Sequence, residues 1–79
     1  MAEILRIMVL YYACEVSAET QFPSPQEWAR CMGYYHAIKR HFADGEVGPD
    51  ANARGYLAFR EWEAAHPDTV AELRARSSH

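Results

Sequence analysis

The stretch from Phe22 to Gly45 constrains this chain most, because it carries a start, a body and a stop for one helix. Ser24 stands where an N-cap belongs, Pro25 suits the first helical position, and Glu27 completes a Ser-x-x-Glu capping box. Trp28, Cys31, Met32, Tyr35, Ile38 and Phe42 then fall within about 120° of one helical face, which predicts a stripe buried against the rest of the chain. Asp44-Gly45 ends it. Ahead of the cap, Phe22 and Pro23 are placed to pack on Trp28 as a hydrophobic staple.

The segments around it read as helices as well. Glu3 to Val16 is too long for an ordinary strand and is apolar around nearly the whole helical circumference apart from Arg6, so it predicts a helix buried on most sides. Ser17 to Pro23 is a loop. Glu46 to Asp50 has the glycine and proline of a tight turn. Asp50 or Asn52 caps a third helix over Arg54 to Ala65, whose Tyr56, Leu57, Phe59 and Trp62 are spread widely around the axis. Such a spread implies burial on more than one side or an exposed aromatic patch. Pro67 interrupts and restarts a short helix reaching Arg76, with Val70 and Leu73 as its apolar row and Glu72 paired with Arg76. Ser77 to His79 is expected to fray. The fold class is mainly α: a single domain over residues 1–79, a compact bundle of three helices plus a short C-terminal one.

At 79 residues a chain buries roughly 60% of its unfolded surface, so a partner or a homodimer would help hold it together. The formal charge is −3, from eight basic against eleven acidic residues, the wrong sign for a protein whose main task is gripping a polyphosphate backbone. Cys14 and Cys31 both lie in apolar segments, and without a signal peptide the reducing cytoplasm is the natural compartment, so two free thiols and no disulfide are expected. The longest apolar run, Ile7 to Cys14, is too short to span a bilayer, which predicts a soluble protein with no membrane partner.

No chemical motif emerges. His36 and His41 are five apart and do not share a face, and Cys14 and Cys31 form no Cys-x-x-Cys knuckle, so no zinc site is expected. Both cysteines read as packing residues, not nucleophiles. The carboxylate pairs Glu61 with Glu63 and Glu3 with Glu15 are not brought together beside an apolar pocket by their spacing. Gly45, Gly48 and Gly55 make no phosphate loop. Neither an enzyme nor a cofactor is expected.

Two surfaces remain. On the polar side of the capped helix, His36, Lys39 and Arg40 share one flank, with Arg30, Tyr34 and His41 further round. This arc suits an acidic protein surface or a major groove, although the helix dipole accounts for cations in the last turn with no partner at all. The third helix offers Tyr56, Arg60 and Trp62, residue types enriched at binding hot spots.

Three stretches taken together resemble small winged-helix-like proteins of bacteriophages: Ile4 to Tyr12 as a first helix, Phe-Pro-Ser-Pro-Gln-Glu-Trp at Phe22 to Trp28 leading into a long second one, and Asn-Ala-Arg-Gly-Tyr-Leu-Ala-Phe at Asn52 to Phe59. The last piece is similar to the segment with which such domains leave the wing. Gly48-Pro49-Asp50 stands where the apolar wing strand belongs, so at most a vestigial hairpin is expected. In size, mild acidity and aromatic richness the chain also resembles phage accessory inhibitors, including anti-CRISPR proteins. The resemblance implies a module that binds and inhibits or redirects a host protein; the residues themselves predict that it is cytoplasmic and non-enzymatic and makes its contacts through Arg30, Tyr34, His36, Lys39, Arg40, Tyr56, Arg60 and Trp62. Its rival is a winged-helix-type DNA-binding regulator using Arg30, His36, Lys39 and Arg40.

Overall fold

Both proline-started segments and both apolar stretches form helices. The structure, a computed structural model, describes residues 2–44 and 48–77. Among the described residues four helices follow one another: α1 Ala2–Ala18, α2 Pro25–Phe42, α3 Ala51–Ala65 and α4 Pro67–Ser77. None of the described residues lies in a strand, and the fold is the mainly α bundle expected from the sequence. The vestigial hairpin falls partly on residues 45–47, outside the described residues; Gly48 to Asp50 form a bend and turn, with Gly48 at φ 117°.

Local chemistry sets the helix ends. Ser24 is the N-cap of α2 in extended conformation, and its hydroxyl accepts the Glu27 amide at 3.2 Å. Ala43 closes the other end, and Asp44 follows at φ 55°. Asp50 precedes α3 without a side-chain cap bond, and the helix begins at Ala51, earlier than Arg54. Pro67 separates α3 from α4 as expected, because its ring and missing donor cannot continue the α3 ladder but suit a first turn.

α1 is the hub of the packing, lying against α2 and α4, while α2 crosses α3 and α3 touches α4. α1 and α2 run antiparallel: Cys14 near the end of α1 meets Cys31 near the start of α2, and Ile4 and Ile7 meet Ala37 and His41 at the other end. The core combines Ile4, Met8, Tyr11 and Tyr12 of α1 with Ile38, Phe59 and Leu73, one from each remaining helix. Phe59, fully buried, takes Tyr11 edge-on at 5.8 Å and Phe42 at 5.6 Å, geometries that suit the ring quadrupoles.

Tertiary packing corrects four sequence expectations. First, Cys14 and Cys31 are bonded to each other, with Cα atoms 6.0 Å apart. The antiparallel pairing brings residues 17 apart in sequence into disulfide range, a proximity the linear spacing does not display. Second, the α2 stripe is buried at one end only. Ile38 is fully enclosed and Tyr35 and Phe42 are half-buried, but Trp28 is 59% exposed, because α3 crosses the C-terminal half of α2 and leaves the first turns covered by α1 alone. Phe22, at 99% exposure, forms no staple. Third, Lys39 is buried, not part of an open basic flank: its ammonium lies 4.3 Å from the centre of the Tyr35 ring. The crossing explains this, since Gly55 of α3 sits directly on the Lys39 backbone and a Cβ there would stand 2.1 Å from the Lys39 carbonyl oxygen. Fourth, Ser77 does not fray; its hydroxyl lies 2.8 Å from both the Val9 and the Leu73 carbonyl oxygens, donating between them and tying the end of α4 to α1. Ser78 and His79 lie outside the described residues.

Candidate functional site

The two surfaces suggested by the sequence differ in how far their polar groups are already used. On α3, Arg60 donates to Glu63 at 2.5 Å and covers the Tyr56 ring at 5.2 Å. Burial works against its charge, but the hydrogen bonds to Glu63 and Tyr56 and the nearby carboxylate outweigh that and hold the guanidinium charged beyond its ordinary range. The second oxygen of Glu63 accepts the Tyr12 hydroxyl at 2.6 Å. Trp62 is half-buried between Phe42 at 6.1 Å and the stacked His66 ring at 4.8 Å, and its carbonyl lies 2.9 Å from His66 Nδ1. Tyr56 meets Tyr35 edge-on at 6.5 Å. Arg60, Trp62 and Tyr56 thus hold α3 to its neighbours, and the sequence reading missed their hub, Glu63, which appeared there only as half of a carboxylate pair.

The same network raises the phenols around it. Burial, with a smaller contribution from the Glu15 charge, pushes Tyr11 up to about 12. Tyr12 is pushed further up by burial and by its bond to Glu63, and Tyr35 is raised by burial against the pull of Arg60. All three hydroxyls are neutral near neutral pH and act as hydrogen-bonding and packing groups.

The cations divide in a way that singles out α1 and α2. Arg74 of α4 bridges Glu15 and Glu19, each at 3.1 Å, and Arg76 bonds Glu72 at 2.6 Å. By contrast Arg6 on α1 and Arg30 and Arg40 on α2 are exposed, and among the described residues no carboxylate pairs with any of them. His36 and His41 are exposed on the same helix as Arg30 and Arg40, and Tyr34 is half-buried. Of the basic flank, then, only Lys39 is lost to the interior.

Between α1 and α2, on the side away from α3 and α4, lie two open clefts. One, of about 220 Å³, is lined by Leu10, Ala13 and the disulfide, with Arg30, Tyr34 and Glu27 on the α2 side. The other, of about 390 Å³, is lined by Ile4 and Ile7 opposite Ala37, Arg40 and His41, with Glu3 at its edge. The α1 wall was not anticipated, because α1 read as a helix buried nearly all round. Its signal is a stripe of polar, small and half-exposed residues, Arg6, Leu10, Ala13 and Ser17, at i, i+4, i+7 and i+11.

Among the described residues no three His, Cys, Asp or Glu side chains converge as a metal would need, and no helix is long and apolar enough to cross a membrane. Neither a protein-family model, nor a curated protein, nor a solved structure matches the chain.

Proposed function

We propose that this chain is a non-enzymatic protein-binding module that docks on its partner through the exposed α1–α2 face and blocks or redirects it, in line with the profile it shares with phage accessory inhibitors. One observation carries the reading: Arg6, Arg30 and Arg40 are exposed without a carboxylate among the described residues, whereas Arg60, Arg74 and Arg76 are all engaged internally. Unpaired arginines beside apolar clefts are anchors that a partner can complete. Arg30, Tyr34, His36 and Arg40 therefore stay in the proposed contact set, while Tyr56, Arg60 and Trp62 serve the fold and Lys39 the helix crossing.

The disulfide bears on where the module acts. Disulfides persist in oxidising compartments and are rare in a reducing cytoplasm, so the Cys14–Cys31 bond favours an oxidising compartment over the cytoplasm expected from the sequence.

The same arginines favour the second reading, a DNA-binding regulator, and one experiment separates the two. A photo-crosslinker placed at Ala37 should give protein adducts in host lysate, reduced by Arg30→Glu with Arg40→Glu and unaffected by Arg76→Glu. A labelled DNA duplex should show no anisotropy change at low salt. Duplex binding that falls steeply with added salt, without protein adducts, would replace this reading by the regulator.

A further inference from the structure

Resting on the protein-binding reading, the geometry points to the chemistry of the partner: we infer that the α1–α2 groove accepts an amphipathic helix of about three turns whose apolar stripe is flanked by carboxylates. The two clefts lie end to end on the same side of the helix pair. On α1, Ile7 at the edge of one cleft is one turn from Leu10 in the other, and on α2 Ala37 is one turn from Tyr34. From Arg30 to His41 the α2 wall runs about 16 Å at 1.5 Å per residue, the length of a three-turn helix.

The floor and walls supply the two things such a helix needs. The apolar part comes from Leu10, 40% exposed, together with Ile7, Ala13, Tyr34 and Ala37, and it takes side chains spaced at i, i+3, i+4 and i+7. The small side chains of Ala13 and Ala37 leave room for a backbone to come close. The charged part is Arg30 at one end of the α2 wall and Arg40 near the other, about 15 Å apart along the axis at 1.5 Å per residue and without carboxylate partners among the described residues. Glu27 and Glu3 also line the clefts, so the occupant's carboxylates belong opposite Arg30 and Arg40 and away from these two positions. A basic or uncharged helix would leave both guanidinium groups unanswered, which makes charge the selective feature and apolar contact the adhesive one.

The test uses two synthetic three-turn peptides of the same leucine spacing, one flanked by glutamates and one by lysines, titrated with the full chain by fluorescence anisotropy. The glutamate peptide is expected to bind and the lysine peptide not. Arg30→Glu with Arg40→Glu should weaken the first by about tenfold or more and admit the second, a reversal that mere unfolding cannot give. Leu10→Asp should abolish binding of the glutamate peptide, and Arg76→Glu should leave it unchanged. Equal binding of both peptides, or binding of neither, overturns the inference. Protein adducts at Ala37 without glutamate-peptide binding overturn the groove's occupant but leave the protein-binding reading standing, whereas a DNA duplex that displaces the peptide overturns both.

Discussion

At the scale of single residues, two glycines of this chain do opposite things. Gly55 lies where α3 crosses α2, and a Cβ there would stand 2.1 Å from the Lys39 carbonyl oxygen, an atom of the backbone that cannot swing aside. Gly33 sits in the middle of α2 with nothing within 4 Å of a built Cβ. Alanine at Gly55 should therefore cost about 1–3 kcal/mol through forced separation of the two helices, despite its better helix propensity. Alanine at Gly33 should add up to ~1 kcal/mol, because it relieves the entropic cost of glycine in an exposed helix interior. Urea unfolding of both variants checks the pair, and a stable Gly55→Ala would overturn the close approach of α3 to the Lys39 backbone. Lys39 belongs to the same contact: its buried position follows from Gly55, not from its own preference for water.

Among the elements, the α1–α2 pair is the one that carries both a covalent tie and the proposed binding face. The Cys14–Cys31 bond joins residues 17 apart in sequence and closes a segment that contains the exposed Phe22 and the N-cap Ser24. Holding that segment closed in the unfolded chain is worth ~3 kcal/mol. Reduction, or Cys14→Ser with Cys31→Ser, should lower the unfolding free energy by about that amount, read from denaturant midpoints with and without a phosphine reductant. An unchanged midpoint would show that the α1–α2 contact persists without the bond. One of the two clefts on the outer face has the disulfide in its wall, so peptide affinity measured under the same two conditions reports whether the groove needs it.

Across the whole molecule, the helices are joined by one polar–aromatic network. Tyr12 of α1 reaches Glu63 of α3, Glu63 holds Arg60, and Arg74 of α4 lies over the Tyr12 ring at 5.7 Å while bridging Glu15 and Glu19. The pH dependence follows from the raised phenols. The folded chain holds the Tyr11 proton to about pH 12, against 10 when unperturbed, and the Tyr12 proton higher still. Between those values the unfolded chain has released protons that the native chain keeps. The associated stability is thus complete below about pH 10 and lost progressively as pH rises through 12. Far-UV circular dichroism against pH should show alkaline unfolding in that window, shifted by Tyr12→Phe, and a fold unaffected up to pH 12 would contradict the burial of these hydroxyls.

The sequence by itself determined the elements. The Ser24–Glu27 cap, Pro25 and Pro67 at first helical positions and the 3.6-residue spacing of Tyr35, Ile38 and Phe42 act within a few residues of one another, and local chemistry of that kind is legible without a fold. Tertiary structure decided what each face meets. Where α3 crosses α2 left Trp28 in solvent and enclosed Lys39, and the antiparallel return of α2 along α1 joined two cysteines that looked like separate packing residues. The bridging of Arg74 to Glu15 and Glu19 likewise depends on contacts between helices, whereas Arg60 with Glu63 and Arg76 with Glu72 pair within their own helices at i,i+3 and i,i+4. Sequence spacing carries the phase of a helix but not the angle or position at which another helix crosses it.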